Sequence, residues 1–204
     1  MTKVLVLGDS FAADYTKKYP NKIGWPNLLA KEFDVCNIAQ AGVSEYKIWK
    51  QIKTVAINNY DFVIISHTSP SRVHTRKHPI HYNDVLHSQA DLMLNDIFYH
   101  RGKLKNIFNS SLQSAYKWFI HHYDDEYQKT IYDLFFNDIC DILKNTNHVS
   151  VNNFKANHTS DLDYSQYLIT SSGLMNHFDY KTNCKIYNDL KEIINKSCNI
   201  GKEV

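Results

Sequence analysis

Ser10, in the run Gly8-Asp9-Ser10-Phe11, is the side chain best placed to act as a nucleophile. Val4-Leu5-Val6-Leu7 precede it and stop at a glycine, the pattern of a strand buried on both faces. The spacing predicts a strand, a tight turn and an opening helix, with Ser10 at the carboxyl end of the first strand, where open α/β sheets bind ligands. Backbone N–H groups and the positive end of a helix there favour attack on a carbonyl. A serine hydroxyl reacts poorly until a base takes its proton, so a histidine must reach it. His177 lies in the loop before the last helical pattern and is the candidate base, because that loop returns to the same sheet edge. Gly42, after the second strand, offers an unshielded N–H to an oxyanion. The same tripeptide also suits a plain helix cap by Asp9 or Ser10; Asp9 is read as a tie for the turn rather than as an acid.

These residues need a scaffold, and the hydrophobic pattern supplies one. A helix opens at Trp25-Pro26, with Leu28, Leu29 and Phe33 on one side. Residues 34–39 read as a second strand ending in the small-residue turn Gln40-Ala41-Gly42-Val43-Ser44. Apolar positions recur at helical spacing over 45–58, and 61–66 is a third strand buried on both faces. Strands alternating with helices make a parallel sheet. After a loop over 67–81, three helical patterns follow at 85–99, 104–123 and 126–144. A crossover needs one helix, so part of this block is an insertion packed over the sheet edge, available for a pocket or an oligomer interface. Residues 148–151 suggest a fourth strand, Tyr167-Leu168-Ile169 a short fifth, and 182–198 the closing helix. One domain over 1–204 is expected.

In order and spacing, Gly8-Asp9-Ser10-Phe11, the lone Gly42 and the late His177 resemble the SGNH (GDSL-type) hydrolase superfamily, as a divergent branch. The resemblance implies a three-layer α/β/α sandwich of flavodoxin-like type with a central parallel sheet. It implies Ser10 as nucleophile, Ser10 and Gly42 as oxyanion N–H donors, and His177 as base. Two departures stand out. The family's third block ends in Gly-x-Asn-Asp, whose Asn donates to the oxyanion; here the run is His67-Thr68-Ser69-Pro70-Ser71-Arg72. Thr68 or Ser69 is left to donate through its hydroxyl, and Arg72 to hold an anion or a sugar carboxylate. The last block reads Asp-x-x-His, but Leu174 stands three residues before His177, leaving Asn176, a backbone carbonyl or a distant Asp to orient the ring. The expected activity is a serine esterase on a small, acetyl-type ester, with an O-acyltransferase as the alternative if an alcohol replaces water; a carbohydrate ester is the expected substrate. The alternative is a non-catalytic relative that binds a glycan or partner.

Other classes find little support. Lys and Arg total 23 against 21 Asp and Glu, a net charge of +2 with no basic track for nucleic acid. No apolar run is long enough to span a bilayer and no signal segment is visible, so a cytoplasmic protein without membrane partners is expected. Cys36, Cys140, Cys184 and Cys198 form no CxxC and read as reduced, buried thiols. His67, His74, His78, His81 and His87 crowd one region, yet no HExxH is present and Pro79 interrupts any helix, so substrate-facing or solvated histidines are expected and no metal. No GxGxxG or Walker-type loop appears, and no cofactor is expected.

Overall fold

A computed structural model describes residues 1–154, 160–167 and 177–199. Its centre is a five-stranded parallel sheet of order β2-β1-β3-β4-β5, with β1 Lys3–Gly8, β2 Asp34–Asn37, β3 Phe62–Ser66, β4 His148–Asn152 and β5 Leu162–Asp163. β1 and β3 pair from Val4 with Phe62 to Gly8 with Ser66. Their unbroken apolar runs follow from helices on both faces. Val4, Val6, Phe62 and Ile64 face α1 (Trp25–Leu29) and α6 (Tyr180–Asn199), where Trp25, Phe178, Ile186 and Leu190 complete one core. Leu5, Leu7, Val63 and Ile65 face α2 (Glu45–Lys53) and α5 (Asp125–Leu143), with Ile48, Ile52 and Ile139. This is the three-layer α/β/α sandwich with a flavodoxin-like strand order. In it the chain leaves β1 towards β2 on one side, while β3 lies on the other. The crevice between the two loops is the topological switch point where such sheets bind ligands.

The insertion after β3 carries α3 (Leu94–Arg101) and α4 (Ser110–His122), packed on each other through Ile97, Leu112 and Phe119. α5 then crosses back to β4. Asn109 and Asp124 start α4 and α5 by accepting the N–H groups of Leu112 and Tyr127.

Several expected boundaries move for identifiable reasons. No helix continues after Ser10: a single turn leads to a 3-10 segment at Tyr15–Lys17, and the Phe11 and Ala12 carbonyls that a helix would bond onward accept from Trp25 Nε1 and Asn37 Nδ2 instead. The helix expected over 85–99 begins at Leu94. Ahead of it, Leu92 pairs antiparallel with Val73, and the Asp91 carboxylate accepts N–H groups from Ser44 and Thr75, which holds the segment extended. The pattern over 104–123 divides into a 3-10 turn at Leu104–Asn106 and α4. β5 lies at Leu162–Asp163 rather than at Tyr167-Leu168-Ile169: Tyr167 ends a 3-10 turn, and 168 and 169 lie outside the described residues. The four cysteines are half-buried rather than buried. No helix among the described residues is long and apolar enough to cross a membrane.

Candidate active site

The Ser10 turn is built by close packing beneath it. Gly8 has φ +141°, and a Cβ there would stand 2.5 Å from the Ser66 carbonyl oxygen, so β1 and β3 touch where the chain turns. Gln51 of α2 closes this end of the strand from below. Its Oε1 accepts the Gly8 N–H at 2.9 Å, and its Nε2 donates to the Gly8 carbonyl at 3.1 Å. Asp9 Oδ1 accepts from Phe11 N, and the Asp9 carbonyl accepts from Ala12 N and Ala13 N. The remaining carbonyls are met from outside: Trp25 Nε1 donates to Phe11 O, and Asn37 Nδ2 to Ala12 O. Burial raises the Asp9 carboxyl to about 7 despite the opposing pull of Arg72.

Ser10, Gly42, Arg72 and His177 line one cavity of about 280 Å³, together with His78, His81, His87 and Asp96. Gly42 has φ +81°, and its carbonyl accepts from Arg72 Nη1 at 2.9 Å and from Asp91 N at 2.8 Å. Arg72 Nε also donates to Thr68 Oγ1 at 3.2 Å. The guanidinium thus bolts the Gly42 turn to the loop after β3. Thr68 and Ser69 do not join the cavity lining: Thr68 Oγ1 is engaged by Arg72, and Ser69 Oγ accepts from Ser71 N. The cavity has Arg72 where a third donor from that loop was expected.

His177 has φ +66°, a left-handed backbone for a non-glycine residue. Its ring lies 4.8 Å from Phe11 and 6.5 Å from Tyr15, centre to centre. Burial, reinforced by Arg72 and His87, lowers its pKa to about 4. Leu174 and Asn176 fall outside the described residues.

Some site residues carried no sequence signal. Asp91 is buried and ties the Gly42 turn through Ser44 N, Thr75 N and Lys47 Nζ. His87 Nδ1 sits 3.1 Å from Asp84 Oδ1, a carboxylate-backed imidazole in the cavity wall. Of the five crowded histidines, His78, His81 and His87 line the cavity. His67 does not: it bridges Glu45 Oε1 (2.6 Å) and Ser150 Oγ (3.1 Å) under the Phe136 ring. That Ser–His–Glu chain has the connectivity of a catalytic triad, but all three groups are buried between α2, β3 and β4. A larger depression of about 590 Å³, lined by Thr2, Asn58 and Asn147, lies at the amino ends of the strands and contains no histidine.

No family model matches this sequence, and no curated protein does. Among solved structures, the chain is similar to a Desulfitobacterium hafniense DCB-2 protein assigned to the G-D-S-L lipolytic family. Identity is 12%, coverage 95% of this chain and 99% of that one, and the TM-score 0.41. It is also similar to the extracellular lipase of Streptomyces rimosus, at 12% identity and a TM-score of 0.34, covering 98% of this chain and 76% of that one.

Proposed function

We propose that this protein is a serine-dependent acyl-ester hydrolase that works through an acyl-Ser10 intermediate. The observation that carries this reading is the convergence of Ser10, Gly42, Arg72 and His177, from four separate stretches of chain, on one cavity at the switch point of the sheet. Ser10 Oγ attacks the ester carbonyl carbon while His177 accepts the hydroxyl proton. The tetrahedral oxyanion takes the N–H groups of Ser10 and Gly42, and the Arg72 guanidinium stands in for the missing Asn donor. Collapse expels the alcohol, which receives the proton from His177, and water then repeats the sequence on the acyl-serine. A small cavity walled by histidines and Asp96 suits a short acyl group on a polar alcohol such as a sugar. An alcohol in place of water would make the same site an O-acyltransferase.

The test is a serine-directed fluorophosphonate with peptide mapping, beside turnover of p-nitrophenyl acetate. Labelling is expected on Ser10, and Ser10→Ala is expected to lower kcat/KM by about 10³-fold or more. Unchanged labelling or turnover in Ser10→Ala overturns the reading. Tight glycan binding without turnover would favour the non-catalytic alternative.

A further inference from the structure

The cavity that Ser10 lines also holds an unusual convergence. His78 Nε2 and His81 Nε2 each lie 3.3 Å from the same oxygen, Asp96 Oδ2. The three donor atoms are all within 4.8 Å of one another, the one such cluster among the described residues. Charge-assisted N–H···O bonds are shorter, about 2.7–2.9 Å. A separation of about 3.3 Å is instead the edge of a tetrahedron with bonds of roughly 2.0–2.1 Å, the length of zinc–nitrogen and zinc–oxygen bonds. His78 Nε2 and Asp96 Oδ2 are buried and meet only at ion-pair distance, without the alignment of a hydrogen bond, and the His78 side chain is only 1% exposed. Buried polar atoms normally make well-aligned bonds, so a long, poorly aligned buried pair suits an ion held between its members.

We propose that His78, His81 and Asp96 bind a divalent transition-metal ion of zinc type in the wall of this cavity. Two imidazoles and one carboxylate are the ligands of an open, three-residue site, whose fourth position takes water or an oxygen of the molecule bound there. All three residues line the cavity that Ser10 also lines. The other Asp96 oxygen lies 3.4 Å from His100 Nε2, an outer contact that steadies the carboxylate. Pro79 breaks any helix between His78 and His81, but no helix is needed: the turn stacks the two rings 4.5 Å apart, and α3 delivers Asp96 to them.

Loading has a local cost. His78 Nδ1 accepts the N–H groups of Ile80 and His81 at 3.2 Å each, so its proton sits on Nε2 in the metal-free chain. Coordination through Nε2 moves that proton to Nδ1, and the two N–H groups must turn away. Amide exchange at Ile80 and His81 is therefore expected to accelerate on loading.

The test uses the full-length protein, stripped with a chelator and titrated with Zn²⁺ by calorimetry and with Co²⁺ by visible absorption. It involves no ester substrate, so it succeeds or fails separately from the acyl-serine reading. One ion per chain is expected, with d–d bands of a nitrogen and oxygen site and no thiolate charge-transfer band. Asp96→Asn and His81→Gln, both at partly exposed side chains, are expected to weaken binding by about 100-fold or more, with unchanged circular dichroism. His148→Gln, on β4, is expected to bind as the parent does. Absence of binding, binding undiminished in both ligand variants, or a thiolate band would each overturn the site.

Discussion

Burial displaces the protonation of two side chains at the site, lowering both His177 and Arg72. His177 is lowered to about 4 by burial, with Arg72 and His87 as neighbouring cations when His87 is protonated. A base must be unprotonated to act, so kcat/KM for an activated ester is expected to stay level from neutrality down to about pH 5. It should fall as the pH passes through about 4. A profile falling near 6.5 would mean that the acting base is another group. Arg72 makes a different prediction. A cation beside the developing oxyanion acts in the transition state, so Arg72→Gln is expected to lower kcat by about 10²-fold or more with little change in KM. The variant also loses the Arg72 bond to Gly42, so Arg72→Lys is the companion measurement, and partial recovery of kcat there marks the role of the charge.

At the scale of elements, the site depends on how α2 and the Asp91 segment hold the strand ends. Gln51 is the clearest case. It sits among Ile48, Ile52 and the strand residues, yet its amide pairs with both polar groups of the Gly8 peptide. Gln51→Leu keeps the volume and takes the partner from the Gly8 N–H, while the Gly8 carbonyl keeps the Gln40 N–H at 3.0 Å. A loss of about 2–3 kcal/mol is expected in urea unfolding, along with slower Ser10 labelling as the turn loosens. Gly42→Ala is expected to fail for a separate reason. At φ +81° its Cβ would meet the Ala90 Cβ at 2.9 Å, so the turn that carries the proposed oxyanion donor cannot keep its shape.

At the scale of the whole molecule, acid stability should reflect two opposed groups. Asp9, raised to about 7 by burial against the counter-pull of Arg72 and with Glu45 adding to the rise, contributes stability below about pH 3.8. That contribution is lost as the pH rises through about 7. His177, lowered to about 4, contributes stability above about pH 6.5 that is lost as the pH falls through about 4. Between these limits the two slopes oppose one another. Asp9→Asn removes one of them, so its unfolding free energy is expected to fall more steeply than the parent's from pH 6.5 to 4.5, by up to about 1.4 kcal/mol per pH unit. Equal slopes in urea titrations would refute the assignment. The sequence alone determined the centre of the sheet, because residues buried on both faces write unbroken apolar runs at 4–7 and 62–65, and it marked Ser10 after the first run, Gly42 in the turn after the second strand and His177 in the loop before the last helix as candidates. Only the tertiary structure decided what surrounds them. Asp91, Gln51 and Asp96 act through partners far away in the chain, and a single polar residue leaves no periodic trace of the neighbour it will meet. The same holds for the turn after Ser10, whose Phe11 and Ala12 carbonyls are taken by Trp25 and Asn37 from elsewhere in the chain.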